Sequence, residues 1–277
     1  MKKVIHYIIL LPLLCLAVSL SAQDLVILHT NDIHSQMEPQ TAGAVAGLGG
    51  AERRAAYIAQ VRKEHPGKVI LLDAGDYNQG TPYFNLFGGV MEMKIMNALR
   101  YDVAALGNHE FDNGQKDLAK RLSKARFPTV CANYDFSRTP LKRQVKPYTI
   151  IKRNGYKIGV IGVTVYLKGV VSQEAVAGLE FENPIPLVNT WADYLKNTKC
   201  CDLVICLSHL GYGEGSAERP GDVRLAEQSR NVDVIIGGHS HTFLEEPDMR
   251  KNAEGREVMI VQTGSRGVNV GKIEVNF

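Results

Sequence analysis

Beyond residue 22 the 277-residue sequence has no apolar run long enough to cross a bilayer, which excludes a body built of membrane-spanning helices. It also lacks an excess of one charge: 32 Lys and Arg face 29 Asp and Glu. Setting aside Lys2 and Lys3 with the first 22 residues leaves 30 of those basic residues, a net charge of +1. Duplex nucleic acid and an anionic membrane surface are therefore not required partners. Cysteine is sparse. Past the N-terminus there are only Cys131, Cys200, Cys201 and Cys206, none with metal-site spacing. In an exported protein an even count permits disulfides, but the adjacent Cys200-Cys201 pair and the strand-like surroundings of Cys206 do not look like a framework, so these residues read as core or free thiols. No repeat, low-complexity run or linker interrupts residues 24–277, and a chain of that length buries one large core without staples.

The first 22 residues read as a secretory signal peptide: a basic start, an apolar run broken by His6 and Pro12, and a small-residue cleavage region before Gln23. The product is expected outside the cytoplasm, in a periplasm or the extracellular space. A lipoprotein signal with Cys15 as the lipidated residue is the competing reading, but Pro12-Leu13-Leu14 is a poor approach to such a cysteine. Residues 23–277 are expected to form a single catalytic domain.

Short β-branched runs recur along that domain: 25–30, 68–73, 102–107, 129–133, 157–165, 202–208, 233–238, 258–263 and 270–277. Helix-like stretches alternate with many of them. AERRAAYIAQVRKEH, for example, sets Ala55, Ile58, Ala59 and Val61 at helical spacing and stops at Pro66-Gly67. Apolar strands alternating with helices predict an α/β layered fold with mostly parallel strands in its first half. The last two strands, separated by a segment holding Gly264 and Gly267, are expected to form a hairpin ending the second sheet.

Five of the eight histidines lie in loops that follow such strands: His34 in HTNDIHS, His109 in LGNHEFD, His209 in CLSHLG, and His239 with His241 in IIGGHSHT. Asp76 in LLDAGDYN has the same setting. In α/β folds ligands gather outside the carboxyl ends of strands, which is where these residues fall. Singly, Asp32-x-His34 and Gly75-Asp76 are ordinary turn or cap residues. Two histidines one residue apart in a loop, as at His239 and His241, seldom serve packing. Together, Asp, His and Asn without thiolate suit a borderline divalent ion such as Zn, Mn, Fe or Co. Asp76 is the natural carboxylate to bridge two cations, and a pair about 3.5–4 Å apart is the clamp used in phosphoryl displacement. A water bridging them loses its proton readily, giving a hydroxide near neutral pH.

The segments NDIH, GDYNQGTP, GNHEFD, SHLG and GGHSH resemble the calcineurin-type metallophosphoesterases. More narrowly, they are similar to the catalytic domain of the secreted 5′-nucleotidase and UDP-sugar hydrolase family, as are LGGAERRAAYI and the run from LDAGD to ALGNHEFDNG. The resemblance covers residues 24–277 and implies a four-layer α-β-β-α sandwich, two facing mixed sheets flanked by helices. It further implies that Asp32, His34, Asp76 and His241 bind one metal, and that Asp76, Asn108, His209 and His239 bind the other. His109 would contact the phosphoryl group and aid the departing oxygen, with Asp112 holding its imidazole and favouring the protonated form. Asn108 and His109 would face the substrate. Glu110 reads as a carboxylate capping the following turn, and His29 and His65 carry no expected role.

The implied activity is hydrolysis of a phosphate monoester, a 5′-nucleotide first, by metal-bridged hydroxide attack on phosphorus. UDP-sugar or 2′,3′-cyclic nucleotide phosphodiester hydrolysis is the alternative within enzymes, and a relative acting on sulfur-bound thiosulfate is a further one. A metal-holding protein without turnover is the alternative outside them; the complete motif set argues against it. Family members usually continue into a second domain that grips the nucleobase between aromatic side chains. No segment here supplies a stacking pair with nearby arginines, so a separate recognition subunit docking over the site is a candidate partner.

Overall fold

A computed structural model describes residues 24–277; the leader expected over residues 1–22, with Cys15, lies outside the described residues. The first half holds β1 (Asp24–Thr30), α1 (Ala51–Glu64), β2 (Val69–Asp73), α2 (Pro82–Phe87), α3 (Val90–Leu99), β3 (Val103–Ala105), a 3-10 turn at His109–Phe111 and α4 (Gly114–Leu122). The short β4 (Thr129–Val130) and β5 (Val145–Lys146) follow, then β6 (Tyr148–Arg153), β7 (Tyr156–Thr164) and α5 (Pro184–Asp193). The last part holds β8 (Leu203–His209), α6 (Asp222–Gln228), β9 (Val234–Gly237), β10 (Asp248–Lys251), β11 (Glu257–Val261) and β12 (Gly271–Asn276).

The strands form two six-stranded sheets, in the orders β12-β1-β2-β3-β4-β5 and β10-β11-β9-β8-β7-β6. The run from β1 to β5 is parallel throughout, as expected for the first half. In the second sheet β7, β8, β9 and β11 are parallel, with antiparallel β6 and β10 at the edges.

Successive strand residues face opposite sides, so each central strand serves two cores. Leu25 and Ile27 of β1 join Ile70 and Leu72 of β2 against Ile158, Val160, Ile205 and Leu207 of the other sheet. Their neighbours Val26, Leu28 and Leu71 pack instead on Ile58, Met96 and Leu118 from α1, α3 and α4. On the far side Val204, Cys206 and Ile235 meet Val188 of α5 and Leu225 of α6. The result is the four-layer α-β-β-α sandwich. Each fully buried Leu or Ile contributes roughly 1.5–3 kcal/mol, which is why β2 and β8 are apolar almost without a break. Cys131, Cys201 and Cys206 are buried free thiols and Cys200 is an exposed one.

The expected terminal hairpin does not form. β11 lies in the second sheet, whereas β12 pairs antiparallel with β1 at the edge of the first, from Asp24↔Asn276 to His29↔Gly271. The connecting segment, residues 262–270, crosses the end of the sandwich and is tied down there: Arg266 N–H donates to Asp32 O at 2.6 Å, and Asn31 Nδ2 to Gly264 O at 2.7 Å. A crossing of this kind consumes the glycines that read as a hairpin turn. Hairpins form instead at β10–β11 and at β6–β7, where the turn residues Asn154 and Gly155 sit at φ 48° and 87°, the left-handed pair that a two-residue β-turn demands.

Candidate metal centre

The parallel strands β1, β2 and β3 of one sheet and β8 and β9 of the other deliver their carboxyl ends to one rim of the sandwich. Asp32 and His34 follow β1, Asp76 follows β2, and Asn108 and His109 follow β3. His209 is the last residue of β8, and His239 and His241 follow β9. The chain must turn sharply at each exit. Asp32, His34, Asp76, His239 and His241 all have positive φ, between 49° and 72°, a conformation that costs a non-glycine residue on the order of 1 kcal/mol. Cross-loop hydrogen bonds hold it: Asp32 N–H donates to Gly75 O, His34 N–H to Asp76 O and Ser35 N–H to Tyr77 O, at 2.9, 2.9 and 3.0 Å.

The side chains converge. His34 Nε2 and His241 Nε2 are 2.8 Å apart and lie 3.8 and 3.3 Å from Asp32 Oδ1. His209 Nε2 is 3.0 Å from Asp76 Oδ2 and 3.9 Å from Asp32 Oδ1. His239 Nδ1 is 2.9 Å from Asn108 Oδ1. Three groups have donor atoms within 4.8 Å of one another: Asp32, His34 and His241; Asp76, His209 and His239; and His34, Asp76 and His109. Asp76 therefore stands between the histidines of the two sheets.

This donor set fits divalent cations. His209 Nδ1 is committed to Ala74 O at 2.7 Å, which turns the Nε2 lone pair inward, the orientation a backbone carbonyl gives to metal-ligating histidine. Burial disfavours a charge on His209, but the Asp76 carboxylate overrides it and lifts the imidazole to about 10. In turn, burial works against the Asp76 carboxylate, yet His209 and the nearby imidazoles hold it below the usual carboxylate range. Metal binding needs both groups deprotonated, so a cation would compete with protons at this pair. His34 and His239 are pushed down, chiefly by burial, toward the neutral form that binds metal.

His109 stands apart from that pattern. Its Nδ1 is 2.8 Å from Asp112 Oδ2, and this hydrogen bond raises the imidazole against the opposing effect of burial. The carboxylate that holds the ring is three residues along, as the family resemblance implies. Unlike His34 and His239, which burial pushes toward the neutral form, His109 is shifted toward the protonated state.

Glu110 reads from sequence as a cap on the following turn; the structure corrects this. Fully buried, its carboxylate accepts from Gly107 N–H at 2.7 Å, Asp76 N–H at 2.9 Å and Asn78 N–H at 3.2 Å. It binds the loop after β2 to the loop after β3, and Arg121 Nη2 secures its own carbonyl at 2.8 Å. Asn31, which sequence reasoning misses, donates to Asp32 Oδ2 at 2.7 Å while its oxygen accepts from both N–H and Oγ1 of Thr263. Its position beside Asp32 in NDIH is the available signal. Arg219 lies over the Tyr166 ring at 3.8 Å, with Phe181 edge-on to the same ring; the three residues are too far apart in sequence to read as one feature. His29 and His65 fall outside the cluster, in β1 and at the end of α1.

A family model described as calcineurin-like phosphoesterase matches residues 25–243. The snake venom 5′-nucleotidase of Crotalus adamanteus is 37% identical over 287 residues, covering 95% of this chain and 47% of the relative. Among solved structures, a 5′-nucleotidase precursor from Thermus thermophilus superposes with a TM-score of 0.81 at 36% identity, covering 92% of this chain and 51% of that one. The NAD nucleotidase of Haemophilus influenzae gives 0.79 at 31%, covering 92% and 48%. The chain spans about half the length of the curated relatives it matches. On this match, with a rim rich in metal donors, the chain belongs to the calcineurin-like phosphoesterase family.

Proposed function

We propose that residues 23–277 form one catalytic domain that hydrolyses phosphate monoesters, 5′-nucleotides first among them, with the help of two divalent cations. The observation that carries this reading is the convergence of seven donor side chains from both sheets beside a histidine held by a carboxylate. Asp32, His34, Asp76 and His241 would hold one ion and Asp76, Asn108, His209 and His239 the other. Ions bound there supply positive charge that acidifies a water nucleophile and neutralises phosphoryl oxygens. His109 does the proton work. With Nδ1 engaged by Asp112, its Nε2 is the nitrogen free to give a proton to the departing alcohol oxygen. Glu110 and Asn31 touch no substrate; they fix the loops that aim Asp76 and Asp32.

The relatives' names support the nucleotide leaving group, and their greater length supports further substrate contacts from outside residues 24–277, in the same polypeptide or a separate subunit. The Haemophilus neighbour favours a second reading, cleavage of a pyrophosphate linkage as in NAD. Among the described residues no helix is long and apolar enough to cross a membrane. The leader-like first 22 residues support export to the periplasm or beyond.

Phosphate release from AMP and from p-nitrophenyl phosphate, by protein stripped of metal and given Mn²⁺ or Zn²⁺, tests the proposal. Metal-dependent turnover of both is expected. Hydrolysis of NAD or bis-p-nitrophenyl phosphate with monoesters untouched would establish the diester reading instead. Bound metal with no ester hydrolysed would make the chain a binding protein.

A further inference from the structure

On the His109 side of the metal centre lies a cleft of about 790 Å³ that has no part in the assignments above beyond Asp112 in its wall. Three segments line it: the start of α4, the turn at 138–140 and the turn at 172–178. They are fastened to one another and to the core. Gln115 Nε2 donates to Ala177 O at 2.9 Å, Thr139 donates to Phe136 O from both N–H and Oγ1, and Ala175 and Val176 are buried in the core that α4 covers. The volume falls in the range of small-molecule sites, about 300–1,000 Å³.

The charges in it have an asymmetry. Lys116 and Arg138 are exposed on its lining, and among the described residues neither forms an ion pair. Asp135, the carboxylate that feels Arg138, is itself occupied: it accepts from the Ser137 N–H at 2.8 Å and from the Ser137 hydroxyl at 2.9 Å. Of the lining carboxylates, Asp112 is taken up by His109, leaving Glu174 as the single acidic group against two cations.

We propose that this cleft is a subsite for a second anionic group, a phosphate above all, carried by the leaving alcohol of the substrate. The inference rests on the proposed esterase function and adds to it a class of substrate. An alcohol protonated by His109 Nε2 departs along the exposed flank of the imidazole, whose Nδ1 partner, Asp112, is one of the residues lining the cleft. A phosphate several bonds beyond the reacting ester meets Lys116 and Arg138 there, and charge-assisted hydrogen bonds from ammonium and guanidinium groups hold it. The reaction is unchanged. Water adds to phosphorus, the phosphorus–oxygen bond to the alcohol breaks, and the alcohol oxygen takes the proton of His109.

The test compares adenosine 3′,5′-bisphosphate, followed as 3′-AMP formed, with AMP. Both are given to the wild type and to a variant carrying Lys116→Ala and Arg138→Ala, with p-nitrophenyl phosphate as the control ester. In the wild type the bisphosphate is expected to show a KM about ten-fold below that of AMP. The double variant should lose that advantage, with kcat on all three esters within about two-fold of wild type. Equal KM values in the wild type, or equal shifts for both nucleotides in the variant, would overturn the subsite while leaving the esterase intact. A wild type inert even toward p-nitrophenyl phosphate would remove the functional reading and the subsite with it.

Discussion

His109 and Glu110 are adjacent in sequence and opposite in task. His109 is partly exposed, bonded to Asp112 and open at its second nitrogen; Glu110 is sealed in, facing three backbone amides. Replacing His109 with Ala should lower kcat by roughly 10²–10⁴-fold, with bound metal unchanged by elemental analysis. Loss of metal along with turnover would instead make His109 a ligand. Glu110→Gln places an amide NH₂ against amide donors, leaving at least one buried N–H without an acceptor, a loss of about 1–3 kcal/mol. Weaker metal binding and a lower Tm are expected together, since the Asp76 loop loses its anchor; an unchanged metal affinity would argue against the clamp. Asp112 comes from the family resemblance alone, whereas His109 and the ligand candidates are legible in the sequence because each follows a strand within a short motif. The role of Glu110 is not, because two of its three partners lie 32 and 34 residues away, beyond any local pattern. His29 gives no signal at all. Its ring lies against Gly271 of β12, where an added Cβ would come within 1.9 Å of Nε2, and burial lowers it from 6.5 to about 4. Between those values the unfolded chain binds a proton that the folded chain refuses, so stability falls as pH drops from about 6.5 to about 4. The contribution is up to about 3 kcal/mol. Urea midpoints at pH 4.5 and 7 should differ less in His29→Leu than in wild type; an equal difference would contradict this.

At the level of elements, the central strands are legible because strands buried on both faces leave unbroken apolar runs. The edge strands β6 and β10 are not. β6 is half-buried along most of its length and β10 alternates between half-buried and exposed, so both resemble surface loops. The partner of β12 is a matter of topology, and the glycines at 264 and 267 serve a crossing loop as readily as a turn. Gly107 is the clearest constraint among the loops, since a Cβ there would meet Asp76 Oδ1 at 2.2 Å and Asp76 N at 2.6 Å. Gly107→Ala must therefore displace the carboxylate that stands between the two groups of histidines. Turnover is expected to fall by at least an order of magnitude and metal content to drop, because misplacement of a ligand by even about 1 Å is costly. Wild-type metal content and turnover in that variant would show that the loops after β2 and β3 yield more easily than their hydrogen bonds indicate.

Across the whole molecule, the metal centre joins the two sheets. Asp32, Asp76 and Asn108 come from one and His209, His239 and His241 from the other, so ions held between them crosslink the halves of the sandwich. Ions that bind only the folded state raise its stability, by about 4 kcal/mol when free metal is a thousand times its dissociation constant. His209 Nε2 and Asp76 Oδ2, one from each sheet, are 3.0 Å apart at that seam. The central claim is that two ions at this seam serve phosphoester hydrolysis. The most direct measurement is phosphate release from p-nitrophenyl phosphate by chelator-stripped protein titrated with Mn²⁺, with bound metal counted at each point. The expected result is no turnover without metal and a rise that saturates at about two ions per chain. Turnover that survives complete stripping, or that saturates at a single ion, would contradict it.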